Sequence, residues 1–154
     1  MCLQHLFYVL FGFVVLVIAR KRDDWPSASL ENSFDEEAVC KLCYKKCPGS
    51  TRDEVELFEK TTDLENLPNS YPLKCFMHCV MEEAGALHRN AAQLNYAHVM
   101  QEIDKLQKDH QKIVIAMGKG CIKRVRDITD PVEFAYALNV CCKKNDNDHY
   151  YFIY

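Results

Sequence analysis

The chain has 154 residues, of which 49% are apolar, with only five glycines and five prolines to interrupt helices. Length and composition together predict one globular domain and exclude a disordered chain. The formal net charge is −3, and acidic and basic residues are interleaved. Because nucleic-acid binding needs a broad cationic surface, no nucleic-acid partner is expected.

The N-terminus is an apolar segment without formal charge, Leu3 to Ala19, followed at once by three basic residues. It predicts a secretory signal peptide at residues 1–19, with a second candidate end at Ser29. The alternative is a retained membrane anchor of about 17 residues, because the basic cluster could stop transfer. We favour a cleaved signal and a secreted, extracellular protein, since the rest of the chain has the character of a small secreted domain. Cleavage also removes Cys2, which leaves eight of the nine cysteines, an even number.

Apolar residues at helical spacing follow a charged, flexible lead-in at residues 20–32, and no alternation of apolar and polar residues predicts a strand. Ser33 and Glu36 form a capping box at the first helix. Asp130 caps the last helix, with Pro131 in its first turn. In chain order, the predicted helices run from Ser33 to Pro48, from Ser50 past Phe58, from Pro72 to Gly85, from Asn90 to Leu106, from Gln111 to Val125 and from Asp130 past Cys141.

The sequence therefore predicts a compact, all-α domain of about six helices over residues 33–154. Residues 61–72 lack helical spacing and are predicted to form a loop. The last six residues, HYYFIY, are unusually apolar for a solvated terminus. We expect this tail to dock against another surface.

Cys75 and Cys79, in the stretch KCFMHC, lie one helical turn apart. Cysteines so placed point the same way and do not reach disulfide geometry with each other without distortion, so each is expected to bridge to a different helix. A zinc site built from this pair and from Cys40 and Cys43 is disfavoured, because all four lie inside predicted helices and not beside short turns. A redox pair is disfavoured as well, because no sheet pattern accompanies the cysteines.

The cysteine spacing resembles that of the insect odorant-binding proteins, the family that includes the pheromone-binding proteins. Members have six cysteines, with three residues between the second and third and eight between the fifth and sixth. The segment KCFMHCVMEEAGAL is close to the family's second-to-third segment, and 27 residues separate Cys75 from Cys47, the counterpart of the first cysteine. Cys121 follows Cys79 after 41 residues and matches the fourth. The resemblance covers about residues 34–142.

The resemblance breaks at the fifth cysteine. The segment DPVEFAYALNVCC aligns with the family's fifth-to-sixth segment, but Val132, separated from Cys141 by eight residues, stands where the fifth cysteine is expected. Family members pair the first cysteine with the third, the second with the fifth and the fourth with the sixth. The resemblance thus implies bridges Cys47–Cys79 and Cys121–Cys141 in a divergent member of the family.

Cys75 is left without its usual family partner. It either pairs with Cys40 or Cys43, or stays a free thiol that packs as a small apolar residue. The cysteines outside the two implied bridges, which can pair in three ways, are Cys40, Cys43, Cys75 and Cys142.

The resemblance also implies a function, because the family's helices enclose one apolar cavity that takes up a small hydrophobic ligand. The protein would then be a secreted carrier that solubilises an odorant, a pheromone or another lipophilic molecule. Burial of apolar ligand surface yields roughly 25 cal/mol per Å², and disulfides keep a cavity from collapsing. The candidate ligand-binding residues are Phe76, Val80, Leu94, Val99, Ile103, Val114, Met117, Phe134, Leu138, Tyr150 and Phe152.

Polar side chains give two further expectations. One tyrosine hydroxyl could orient the ligand, and the candidates are Tyr96, Tyr136 and Tyr150. Histidines could make ligand release pH-sensitive, although we expect solvated positions on helix surfaces for all of them: His78, His88, His98, His110 and His149.

The competing hypothesis is a disulfide-linked, helical secreted protein that acts by surface contact with another protein, and a solid core would favour it. An enzyme is not expected, because the sequence has no glycine-rich phosphate loop, nucleophile elbow or zinc-binding histidine motif. No cofactor and no metal are expected. A membrane receptor is a candidate partner, and the protein is expected to be a monomer or a homodimer.

Overall fold

The computed structural model of the protein describes residues 35–150 and residue 152. The proposed signal peptide and lead-in lie outside these residues. The described part confirms the all-α prediction, and its only strand-like feature is an isolated antiparallel bridge between Leu87 and Leu94. It contains seven helices, which are α1 (Glu36–Lys46), α2 (Arg52–Lys60), α3 (Tyr71–Glu83), α4 (Tyr96–Asp104), α5 (Lys108–Gly118), α6 (Cys121–Val125) and α7 (Pro131–Asn145).

Side-chain caps set the starts of the first two helices, each one or two residues from the predicted helix start. Asp35 caps α1 by accepting a hydrogen bond from the backbone N–H of Ala38 at 3.0 Å, whereas the predicted cap Ser33 lies outside the described residues. Thr51 caps α2, because the hydroxyl of Ser50 instead donates to the Cys47 carbonyl at 2.7 Å.

Side-chain caps also set the starts of α3 and α7. Ser70 caps α3 through the backbone N–H of Leu73, so this helix begins within the segment that was predicted to be a loop. Asp130 caps α7 by accepting from the backbone N–H groups of Val132 and Glu133, both at 2.9 Å. The predicted start of α7 is confirmed.

The predicted helix start at Asn90 is wrong. Asn90 has a φ of 53°, in the left-handed region, and it lies in a turn rather than in a helix. Backbone hydrogen bonds from His88 to the Gln93 carbonyl and from Asn95 to the Ala86 carbonyl close this turn. Asn95 then caps α4, so the helix begins at Tyr96, six residues later than predicted.

The single helix predicted from Gln111 to Val125 is two helices. Gly120 has a φ of 76° and ends the continuous helix between α5 and α6, because this backbone conformation is strained for residues with a Cβ atom. The side chain of Asn145, at the end of α7, donates to the carbonyl oxygens of Met117 at 2.6 Å and Lys119 at 3.1 Å. These bonds satisfy carbonyl groups that the break leaves without a helical partner.

Helix α3 lies at the centre of the domain, packed against α7 on one side and α1 on another. Helices α5 and α6 pack against α7, and α4 packs against α5. Their buried side chains form one hydrophobic cluster, to which the tail residues Tyr150 and Phe152 also belong. Among the residues that the structure describes, no helix has both the length and the apolar character that crossing a membrane requires.

The described residues contain three disulfide bridges: Cys43–Cys79, Cys47–Cys75 and Cys121–Cys141. Cys121–Cys141 is the pairing that the family resemblance implied. The implied bridge Cys47–Cys79 is wrong, and so are the expected partners of Cys75.

The antiparallel arrangement of α1 and α3 explains the corrected pairing. Moving back one turn along α1, from Cys47 to Cys43, corresponds to moving forward one turn along α3, from Cys75 to Cys79. The two bridges are successive rungs between the same two helices, so the expectation that Cys75 and Cys79 reach different helices is also wrong. Three of the four cysteines of the disfavoured zinc site, Cys43, Cys75 and Cys79, are thus engaged in disulfides.

Candidate functional site

The eleven residues predicted to bind ligand all lie in the hydrophobic cluster. Each is buried, with at most 9% of its surface exposed. Because α3, α4, α5, α7 and the tail each contribute two or more of them, the set converges from elements that are far apart in sequence. Their role as ligand contacts stays a prediction.

Aromatic rings link the tail to the centre of the domain. The ring of Phe76, on α3, stacks on the ring of Tyr44 with a centroid distance of 4.3 Å. The centroid of the Phe152 ring lies 6.3 Å from that of Phe76. The ring of Tyr150 lies 6.0 Å from that of Phe58 on α2. Phe152 is fully buried and Tyr150 nearly so, so the tail docks onto its own domain through these two residues.

The three candidate tyrosine hydroxyls differ in their surroundings. The Tyr150 hydroxyl donates to Asn139 Oδ1 at 2.9 Å, in the core. The Tyr136 hydroxyl donates to the Pro68 carbonyl oxygen at 2.9 Å. Tyr96 is 64% exposed and faces solvent rather than the cluster. Two of the predicted polar contacts are therefore engaged by the protein itself, and the third is in the wrong place.

Burial raises the pKa of both engaged tyrosines. It raises the pKa of Tyr136 to about 12, with a smaller contribution from the nearby Glu133 carboxylate. It raises the pKa of Tyr150 well above the ordinary value for tyrosine. Both hydroxyls therefore remain hydrogen-bond donors at neutral pH.

The five histidines differ in their surroundings, although solvated positions on helix surfaces were predicted for all of them. His88 is exposed, whereas His98 Nε2 lies 3.1 Å from the Ala84 carbonyl oxygen and His149 Nδ1 lies 2.7 Å from Asp146 Oδ2. Burial lowers the pKa of His78 and also that of His110. For His78 the carboxylates of Glu82 and Asp130 partly oppose this effect.

Lys143, in the last turn of α7, is a buried polar residue. Its side chain is fully buried, and its ammonium group donates to the Glu59 carbonyl oxygen at 2.7 Å and to Asn147 Oδ1 at 2.5 Å. The same group lies 5.2 Å from the centroid of the Tyr150 ring. Lys143 thus holds α2, α7 and the tail together, and two adjacent lysines in the sequence gave no sign that one is buried.

Glu102 is a second buried polar residue that the sequence analysis missed. It is only 7% exposed and lies on α4 between the predicted ligand contacts Val99 and Ile103. Its Oε1 accepts from Lys105 Nζ at 2.6 Å. Its Oε2 is buried and accepts no hydrogen bond from the residues that the structure describes. The sequence did contain a signal for this burial, because Glu102 lies three residues after Val99 and next to Ile103, on the apolar face of the predicted helix.

Comparison with known proteins identifies the family of this domain. The profile of the PBP/GOBP family matches residues 30–145. The chain belongs to the PBP/GOBP family. Among solved structures, it is similar to the crystal structure of the medfly odorant-binding protein CcapOBP22/CcapOBP69a, with 25% sequence identity and a TM-score of 0.53. That match covers 72% of this chain and 87% of the medfly chain. A comparison with curated proteins finds no significant match.

This PBP/GOBP member departs from the expected pattern at Val132, the position of the fifth family cysteine. Val132 lies in the first turn of α7, so no disulfide joins Cys75 to this helix. An ion pair between Lys74 Nζ and Glu133 Oε1, at 2.9 Å, instead connects α3 to α7 at this point. Cys75 bridges to α1, where Cys47 is available.

Proposed function

We propose that the protein is a secreted carrier that binds and solubilises a small hydrophobic ligand, such as an odorant, a pheromone or another lipophilic molecule, in an internal cavity. The supporting observation is that, in a member of the PBP/GOBP family, four helices and the tail converge on one apolar cluster. Burial of ligand surface there would supply the binding free energy, at roughly 25 cal/mol per Å² of apolar area. No chemical change of the ligand is part of this proposal.

The disulfides support the carrier proposal energetically. Two rungs fix α1 to α3 and a third bridge fixes α6 to α7. Cross-links of this kind stabilise a small domain by about 2–4 kcal/mol each. That stability would offset the cost of a core that is not completely filled with side chains.

Displacement of an apolar fluorescent probe tests the proposal, with two neighbouring positions on α5 as a matched pair. Val114 is 1% exposed and Ile115 is 51% exposed. Val114→Phe adds side-chain volume inside the cluster and should weaken probe binding, whereas Ile115→Phe adds volume at the surface and should leave binding unchanged. Circular dichroism would verify that both variants keep their helical content.

Two results would count against the carrier. If the refolded protein does not bind the probe and no lipophilic competitor acts on it, the proposed cavity does not exist. If Ile115→Phe weakens binding while Val114→Phe does not, ligand binds at the surface. The second result would favour the competing hypothesis of a protein that acts by surface contact.

A further inference from the structure

The ligand's polar contact can be inferred from Glu102, on the premise that the proposed carrier function is correct. Residues three and four apart share one face of a helix, so Glu102 and Ile103 lie on the same face as Val99. Val99 and Ile103 are 1% exposed and belong to the hydrophobic cluster. A carboxylate therefore sits directly beside two predicted wall positions.

The two oxygens of this carboxylate have different environments. Oε1 accepts from Lys105 Nζ at 2.6 Å, and the Lys105 side chain is 45% exposed, so this oxygen lies on the solvent side. Oε2 is sealed from solvent and accepts no hydrogen bond within the described part of the chain. Lys105 places the opposite charge beside Oε1, and Oε2 keeps its capacity as an acceptor.

A buried acceptor without a donor destabilises a folded protein, and native proteins contain few of them. The predicted alternatives among the tyrosines do not compete for this role, because Tyr136 and Tyr150 donate to protein acceptors and Tyr96 is exposed. His78 Nε2 is also buried without a partner among the described residues, but the His78 side chain as a whole is partly exposed. Glu102 Oε2 is thus the better-buried unsatisfied group.

We propose that Glu102 Oε2 accepts a hydrogen bond from a hydroxyl group of the bound ligand, so that the carrier selects lipophilic alcohols over ethers and esters of the same size. An ionised acceptor makes a stronger hydrogen bond than a neutral one. An ether or ester oxygen only accepts, so it would leave Oε2 unsatisfied and would face it with a second acceptor.

The test compares a straight-chain alcohol with its isomeric methyl ether, which has the same heavy atoms but no donor, as competitors of the fluorescent probe. The unmodified protein should prefer the alcohol. Glu102→Leu should lower the alcohol affinity by about tenfold or more, because a hydrogen bond to a charged group is lost. The same substitution should not lower the ether affinity and should raise it to the extent that Oε2 disfavours a second acceptor. It creates no buried unpaired charge, since Lys105 is solvated.

Glu102→Gln is the near-isosteric variant that keeps the test valid if the leucine variant does not fold. Its amide oxygen still accepts, but without charge, so the alcohol preference should fall part of the way. Glu83→Gln is the matched control, because Glu83 Oε1 accepts from Lys46 Nζ at 2.5 Å on the exterior between α1 and α3. This control should keep the full alcohol preference.

The possible failures are distinguishable. If the unmodified protein binds the probe but has the same alcohol-to-ether ratio as both Glu102 variants, the role of Glu102 is refuted and the carrier stands. If the ratio falls equally in the Glu83 control, the effect is not specific to Glu102 and the inference is refuted as well. Absence of any probe binding would overturn the carrier and this inference together.

Discussion

The Tyr150 hydroxyl makes a hydrogen bond in the core that connects the tail to α7. Tyr150→Phe should destabilise the protein by about 1–3 kcal/mol, because it leaves Asn139 Oδ1 buried without its donor, while Asn139 Nδ2 keeps its bond to the Ala135 carbonyl. Urea unfolding measures the difference. Tyr96→Phe, at a side chain that is 64% exposed, is the control and should change stability by less than about 0.5 kcal/mol. Equal effects of the two substitutions would contradict the buried hydrogen bond.

His78 gives the domain a dependence on mildly acidic pH. Burial lowers its pKa in the folded state, so the unfolded chain binds a proton first as the pH falls below about 6.5. The stability contributed by neutral His78 is therefore present above that pH and is lost as the pH falls through the folded-state pKa. His78→Gln should lose less stability than the unmodified protein between about pH 7 and pH 5. Chemical unfolding at several pH values would show this, and parallel curves would refute it.

At the scale of elements, Gly120 separates α5 from α6. A Cβ atom at this position would meet only the Arg124 guanidinium at 3.9 Å, so space is not limiting and the positive φ alone opposes a side chain. Gly120→Ala should cost about 1–2 kcal/mol. Gly118→Ala, inside α5, is the matched control and should be neutral or stabilising by up to about 1 kcal/mol. Thermal unfolding compares them, and a stabilising Gly120→Ala would mean that the helix is continuous.

The two rungs between α1 and α3 can be mapped chemically. Trypsin cleaves after Lys45 and Lys46 and so separates Cys43 from Cys47, while cyanogen bromide cleaves after Met77 and so separates Cys75 from Cys79. Mass spectrometry of the doubly cleaved, unreduced protein should find the Cys43 peptide linked to the Cys79 peptide, and the Cys47 peptide linked to the Cys75 peptide. The reverse linkage would show that the family-derived pairing was correct after all.

The sequence predicted those elements that local signals define. Asp130 and Pro131 mark the start of α7 in any context, and the all-α class follows from the periodicity of apolar residues. The turn at Asn90 and the break at Gly120 depend on bonds to Ala86 and Asn145 that only the folded chain brings close. The start of α4 and the division between α5 and α6 therefore escaped prediction.

For the candidate site, the sequence predicted the apolar residues but not the disulfide partners or the buried polar residues. Apolar periodicity correctly placed the candidate wall residues in the core, because burial of apolar side chains is the main driving force of folding. Cys43 and Cys47 are one turn apart and equally able to face α3, so only the antiparallel register decides their partners. In the sequence, Lys143 and Glu102 look like surface residues. The fold alone brings the Glu59 carbonyl to Lys143. Glu102 pairs with Lys105, three residues away, as exposed helix residues commonly do.

The described part of the molecule is a disulfide-linked PBP/GOBP domain whose helices and docked tail surround an apolar centre. We propose that ligand binds inside that centre and not on the exterior. Buried and exposed methyl groups occur side by side on the same helices, which makes the two locations distinguishable by proximity to ligand protons.

Nuclear Overhauser effects between a bound fatty alcohol and the methyl groups of the isotopically labelled protein are the most direct test. Internal binding predicts contacts from the ligand chain to the buried methyl groups of Val99, Ile103 and Val114, each 1% exposed. Contacts confined to the exposed methyl groups of Leu57 and Ile115, which are 57% and 51% exposed, would contradict internal binding.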